Sequence, residues 1–488
     1  MAIRSIAAGL LTAQTIAVVH VRISNIDHYE KVKSLLDAGF VAVPSSAVAE
    51  SLKDWHTAFY GGVFFTLTLG LGLTFLSLPA VGWWHRNRNL SVRWSLILLW
   101  TGLIGVMNSN GVSAAATAYA VLIPAAVFAA SIRDKRGRGS TVRGVGAIHL
   151  LGILVLGGIM LLKADTAVFS AVRDRLLLTN PIGIGVNNFY YRYTLYPAQA
   201  FKSLNQELIR TWRATDLRGN PTIARLRPTL ARLDWLEIGE GGPHDMVVRI
   251  DGERLSLYRQ GKTILGVPAG EFLARPGLTL KDFSAETDRD VGLRRITFAS
   301  LTAICLLTIY GGVYFPVHCL AGRRLGPIGT AAASVFVALA AGSLVLSWTS
   351  GTIEKKAAGK AALKAFLHAD DAALRIKGLI RLCREKRDIQ GLADPRGMAR
   401  GEDPMERYWL ARSLAFARSP DTFTVLVDLL DDPQVNVAYQ ACRSLGRRGD
   451  RRAVAPLLSV IHRSREWYVQ LHAYRALKRL GWHQNVFN

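Results

Sequence analysis

The stretch DDPQVNVAYQACRSLGRRGDRRAVAPLLSVI, residues 431–461, decides how the last third of this chain folds. Apolar or small residues recur in it at three- and four-residue steps, the spacing of one helix face. Asp432 and Pro433 suit a helix start: a short acidic side chain accepts from the free first-turn amides, and proline tolerates the first turn. Gly446 and Gly449-Asp450 read as the break, and Ala453–Ile461 as a partner helix. The same kind of run ends at Leu382, Leu414, Leu445 and Leu477, as LRIKGLIRL, ERYWLARSL, VAYQACRSL and VQLHAYRAL, each 31 or 32 residues after the last. Their starts are Asp370-Asp371, Asp403-Pro404, Asp432-Pro433 and Ser464. Two short helices per unit cannot bury an apolar face alone. Stacked side by side they form an α-solenoid with one continuous core.

In these residues, roughly 354–482, the chain resembles the HEAT-like repeats of the phycobilin-lyase type. The resemblance implies a solenoid fold and an extended surface of the kind that binds macromolecules. It carries no visible cofactor site into this sequence, so no cofactor is expected.

The 488-residue chain has 60 Lys and Arg against 36 Asp and Glu, a net charge of +24. A surplus of this size directs attention to acidic partners. In short loops between apolar segments, the same surplus is an orientation signal. Residues 351–488 alone hold 25 basic against 15 acidic side chains, so the repeat region is basic in its own right. The four cysteines include no CxxC pair and are expected to be buried thiols.

Upstream, apolar stretches long enough to cross a bilayer dominate. We read spans at 6–21, 58–84, 94–107, 112–130 and 145–163 within a membrane region 1–163, then 296–320 and 328–348 within 296–350. The polar residues 22–57 read as a short amphipathic helical excursion. Asn108–Gly111 reads as a tight turn between two crossings. The basic loops with Arg86, Arg88 and Arg93, with Arg133, Lys135, Arg136, Arg138 and Arg143, and with Arg323 and Arg324 are expected on the cytoplasmic side. Seven crossings from a cytoplasmic N-terminus put the insert 164–295 and the repeat region 354–488 outside, which in a bacterium is the periplasm. The expected fold class is a polytopic α-helical membrane protein with a small α+β soluble insert and a C-terminal solenoid.

The insert starts with helical patterns in FSAVRDRLLL, FYYRYTLYPAQAFKSLNQELIRTW and TIARLRPTLARLDWL. It then alternates in MVVRI, ERLSLY and KTILGV, joined at Asp251-Gly252 and Gln260-Gly261, which reads as a three-stranded meander. Within it, Phe189, Tyr190, Tyr191, Arg192, Tyr193 and Tyr196 are read as a helix at the lipid interface, where tyrosines favour headgroup level. A partner-binding surface is the second reading of this segment, and stacking on nucleic acid is not expected on the outer face.

No HExxH, GxSxG or GxxxxGK[ST] pattern occurs, and no acid–base or nucleophile set converges, so an enzyme is not expected. His244-Asp245 with Glu237 and Glu240 reads as a solvated turn. His149 reads as a hydrogen-bonded interior histidine. The densest cationic cluster, Arg443, Arg447, Arg448, Arg451 and Arg452, is the candidate site for an anionic contact, either a partner protein or lipid headgroups. The functional expectation is a membrane scaffold or assembly factor that binds an unidentified protein partner through its repeats. The alternative is a transport component with regulatory soluble parts.

Overall fold

The computed structural model describes residues 2–132, 145–163, 173–215, 221–239, 241–349 and 360–484. The basic loop with Arg133, Lys135, Arg136, Arg138 and Arg143 lies outside the described residues. The helices of the first third are α1 (Ala2–Asp37), α2 (Trp55–Phe65), α3 (Leu71–Arg86), α4 (Leu90–Met107), α5 (Ala114–Ile132) and α6 (Val145–Lys163). Next come α7 (Pro181–Tyr193), α8 (Pro221–Arg232), α9 (Ala269–Ala274), α10 (Pro276–Glu286) and the long α11 (Val291–Thr349). The repeat region holds α12 (Lys360–Leu367), α13 (Ala372–Glu385), α14 (Pro404–Ser413), α15 (Pro420–Asp428), α16 (Val435–Arg448), α17 (Val454–Arg463) and α18 (Trp467–Arg479). The strands are β1 (Arg210–Ala214), β2 (Trp235–Glu237), β3 (Met246–Asp251), β4 (Arg254–Arg259) and β5 (Lys262–Pro268). The chain divides into two compact units: 1–20, 59–177 and 289–355 form the first, and 21–58, 178–288 and 356–488 the second.

The first unit is helical. Among the described residues, Ile3–Asp37, Trp55–Arg86, Leu90–Met107, Ala114–Ile132 and Val291–Leu344 are long and apolar enough to cross a membrane, and Val145–Gly158 is apolar but shorter. α3 packs on α5 and α6 on α11. The turn expected between two crossings is present: Asn108 Oδ1 accepts from Ser113 N at 2.7 Å, and Asn108 Nδ2 donates to Ile104 O at 3.0 Å. The first bond joins the end of α4 to the start of α5, and the second closes back on the last turn of α4. His149 Nδ1 lies 2.5 Å from Tyr310 Oη, the hydrogen-bonded setting expected of it. A loop was expected around Arg323 and Arg324. Helix instead runs through both, and the break is the single residue Gly326, whose φ of 65° suits a residue without Cβ. Cys305 and Cys319 are exposed in this structure and Cys383 is half-buried, so only Cys442 matches the expectation of buried thiols.

The second unit joins three stretches that the sequence reading kept apart. Its sheet has the order β2-β1-β3-β4-β5. The meander β3-β4-β5 is antiparallel as expected, with two-residue turns at Gly252-Glu253 and Gln260-Gly261. β1 and β2 correct the sequence reading, which placed Arg210–Trp212 and Trp235–Leu236 in helices. β1 pairs parallel with both β2 and β3, contacts between distant segments that no local pattern announces. Trp212, Trp235, Met246, Val248, Leu255 and Leu257 form one core with Ile223, Leu226 and Leu230 of α8 and with Phe272 of α9 and Phe283 of α10.

The C-terminal half of α1 belongs to this unit. Its Lys31 Nζ sits 2.6 Å from Asp245 Oδ2 and pairs with Glu207 as well. Asp245 also accepts from Thr211 N at 2.8 Å and from Thr211 Oγ1 at 3.1 Å. The expected solvated turn at His244-Asp245 is therefore corrected for Asp245, because a lysine far back in the chain supplies the countercharge its burial requires. Glu237 pairs with Arg227 at 2.6 Å, and Glu240 lies outside the described residues.

In the helical repeats, α13, α14, α16 and α18 stack as one layer, and α15 and α17 pack behind α16 and α18. Asp371 and Asp403 cap α13 and α14, accepting from Ala373 N and Met405 N at 2.8 Å; such caps contribute about 1 kcal/mol each. Seven residues before the aligned leucines stand Arg375, Arg407, Ala438 and Gln470. Arg375 donates to the carbonyls of Ala369 and Asp370 and forks onto Glu406 of the next repeat. Arg407 repeats this on Gly401, Glu402 and Asp432. At the last helix Gln470 keeps the bond six residues back, Nε2 to Ser464 O at 2.6 Å, and turns to Ser45 in place of a next repeat. Gln484 holds Val41 at both its N and O. Residues 41–49 thus cover the end of the stack, a role the reading of 22–57 as an amphipathic excursion did not anticipate.

Gly446 was expected to break its helix. It lies inside α16, and a Cβ there would meet Ala476 Cα and Cβ of α18 at 2.8 Å, so its missing side chain lets the two helices close up. The break comes at Gly449, which ends α16 at φ 76°.

Candidate binding site on the helical repeats

The stacked layer places equivalent residues of successive repeats side by side. Two residues before the aligned leucines stand Ile380, Arg412, Arg443 and Arg475; two residues after them stand Arg384, Phe416, Arg447 and Arg479. Positions four apart on a helix share a face and lie about 6 Å apart, so these are two adjacent rows running across α13, α14, α16 and α18. Five of the six arginines are exposed and Arg412 is half-buried. None of the six forms an ion pair among the described residues. Arg412 lies 4.7 Å over the Trp409 ring, and Arg447 lies 5.6 Å over Phe416, contacts that orient the guanidinium groups without neutralising them.

Their fields converge on buried and half-buried neighbours. Burial pushes the His472 ring down to about 3, and Arg443, Arg475 and Arg479 add to the effect. Burial raises Tyr468 to about 12, with Arg443 and Arg475 pulling the other way. Burial likewise raises the Cys383 thiol to about 12 against the opposing pull of Arg412 and Arg447. Arginines on different helices therefore act on the same groups, as a shared face requires.

The sequence-derived cluster divides. Arg443 and Arg447 belong to the rows. Arg448 turns back into the fold, donating to Thr422 Oγ1 at 2.9 Å and Ser419 O at 2.7 Å. Arg452 pairs with Asp450 at 2.6 Å and covers Phe423 at 4.7 Å. Arg451 is exposed on the turn and stands outside the rows. Arg384, Arg475 and Arg479 were missed, because the residues were read along the chain; reading the aligned repeats down their columns finds them.

The aromatic segment expected at a lipid interface is placed against the repeats. Tyr191 and Tyr196 are 4 % and 3 % exposed, while Phe189 and Tyr190 are exposed. The Tyr191 ring lies 5.7 Å from Tyr439 and 4.7 Å from Tyr468, and Trp467 Nε1 donates to Tyr191 O at 2.6 Å. Asn187 donates to Asn436 at 2.7 Å, Asn188 accepts from Gln434 at 2.9 Å, and Arg192 lies 3.3 Å from Glu466. Tyr193 lies between Phe189 and Tyr196 and reaches His56. So α7 covers the first halves of α16 and α18, and the arginine rows occupy their second halves.

A family model of HEAT repeats matches residues 396–478. The C-terminal region thus carries HEAT-like repeats; Arg412, Arg443, Arg447 and Arg475 lie within the matched residues, and Arg384 and Arg479 outside them. No curated protein and no solved structure matches the chain. Elsewhere in the second unit, an open cavity of 520 Å³ on the sheet is lined by Arg213, Thr215, His244, Arg249 and Tyr258 among others. Among the described residues no group of three His, Cys, Asp or Glu side chains is arranged to hold a metal.

Proposed function

We propose that this protein is an integral membrane scaffold whose HEAT-like repeats, of the phycobilin-lyase type by their sequence, bind a protein partner. The observation that carries the reading is the double row of arginines on the repeat layer, which hold no ion pair among the described residues, in a chain whose described residues include five helices apolar enough to cross a bilayer. The covering of the first halves of α16 and α18 by the chain's own α7 supports it further, since that face accepts a peptide segment through aromatic and amide contacts. Apolar helices anchor the chain, seven crossings carry both soluble regions to the periplasmic side, and the repeats hold the partner. HEAT repeats commonly mediate protein–protein contact.

A photo-crosslinking amino acid placed at Phe416, within the second arginine row, tests this in intact cells, alongside carbonate washing of the membranes. The expected result is a chain that resists extraction and a discrete protein adduct from Phe416. The same probe at Leu458, on α17 behind the layer, should give no such adduct. Release by carbonate, or an adduct with lipid alone, would overturn the scaffold reading.

A further inference from the structure

The partner class is written in the spacing of the arginines. Arg412, Arg443 and Arg475 stand at one repeat position on three successive helices of the layer. Packed helices have axes about 8–10 Å apart, so the row offers a cation at about that interval. A second row one helical turn away adds Arg384, Arg447 and Arg479, with the Phe416 ring in the gap. None of these side chains has an ion pair among the described residues.

An extended polyproline II segment rises about 3.1 Å per residue and has three residues per turn, so every third side chain points the same way at about 9.3 Å intervals. That interval matches the helix spacing. An α-helix rises about 1.5 Å per residue and brings carboxylates four apart to only about 6 Å, which fits a single helix of the layer and not the row across it. Arginine favours planar carboxylates, which it can hold through two parallel hydrogen bonds. Resting on the scaffold reading, we infer that the repeat face takes an extended acidic segment of a protein partner, with Asp or Glu at every third residue, laid across α14, α16 and α18 along the arginine row.

The test uses purified full-length protein in detergent and fluorescence anisotropy. One twelve-residue peptide has Glu at every third position in a Pro- and Ser-rich background; a second has the same composition with its Glu residues contiguous. The spaced peptide is expected to bind at least tenfold more tightly than the contiguous one. The variant Arg412→Gln/Arg443→Gln/Arg475→Gln should lose at least tenfold of that affinity. Arg225→Gln/Arg254→Gln/Arg275→Gln, an equal loss of charge on the insert, should keep it. Near-ultraviolet circular dichroism identifies a misfolded variant; in that case the single changes Arg443→Gln and Arg475→Gln carry the comparison, each expected to weaken binding severalfold. Equal affinity for the two peptides would overturn the inference, as would tighter binding of phosphatidylglycerol vesicles or oligo-dT than of the spaced peptide. A Phe416 protein adduct that persists in the triple row variant would refute the acidic-segment inference while leaving the scaffold reading intact.

Discussion

Replacing Lys31 by Met removes the lysine that the structure places between Glu207 and Asp245. The three side chains are 9 %, 15 % and 13 % exposed, so solvent cannot take over the lost countercharge. At an effective dielectric of about 20 and a separation of roughly 3 Å, each pair is worth about 5 kcal/mol before desolvation. Desolvation cancels most of that in the intact cluster, whereas deleting one partner leaves uncompensated buried charge at a cost of about 3–5 kcal/mol. Asp245 keeps its two bonds from Thr211, and Lys202 lies near enough to act on Glu207, so the lower end applies, about 3 kcal/mol. Hydrogen exchange of the purified full-length protein, read on peptides spanning 28–37 and 205–213, measures this locally. Protection there should fall by about a hundredfold, since about 1.4 kcal/mol corresponds to each factor of ten. Adding Glu207→Gln and Asp245→Asn should restore most of it. A loss smaller than about threefold in the single variant would refute the claim that this cluster ties α1 to the insert.

Two further perturbations probe the repeats. The folded His472 ring takes its proton only near pH 3 and the unfolded ring near 6.5, so the unfolded chain binds the extra proton in that window. Stability contributed by the neutral ring is therefore present above 6.5 and is lost as pH falls toward 3, by up to ~1.4 kcal/mol per pH unit. Urea unfolding across about pH 4–7 should show a shallower slope for His472→Gln, and parallel profiles would contradict this placement. Gly446→Ala gains about 1 kcal/mol of helix propensity but drives a Cβ to 2.8 Å from the backbone of Ala476. Overpacking of this kind costs about 1–3 kcal/mol, so thermal unfolding should show net destabilisation, larger for Gly446→Val. Adding Ala476→Gly should relieve only part of it, because the Ala476 Cα remains in the way.

Whatever depends on near neighbours was legible along the chain. Helical periodicity, the caps at Asp371 and Asp403 and the return of the pattern at Leu382, Leu414, Leu445 and Leu477 are local, and the repeats stand where those residues put them. The β3-β4-β5 meander was legible for the same reason, since two-residue turns such as Gln260-Gly261 set register within a few residues. Tertiary structure alone decided the rest. β1 and β2 exist through parallel pairing with strands separated in sequence, which short runs such as Trp235–Glu237 do not announce. An amphipathic aromatic helix has one pattern whether it lies on lipid or on protein, and only packing put Tyr191 against Tyr439 and Tyr468. Every arginine of the rows was visible in the chain, but their meaning depends on spacing between helices. Stacking turned residues 31 or 32 positions apart into neighbours, while Arg448 and Arg452, close in sequence to the row, were drawn into bonds with Thr422, Ser419 and Asp450.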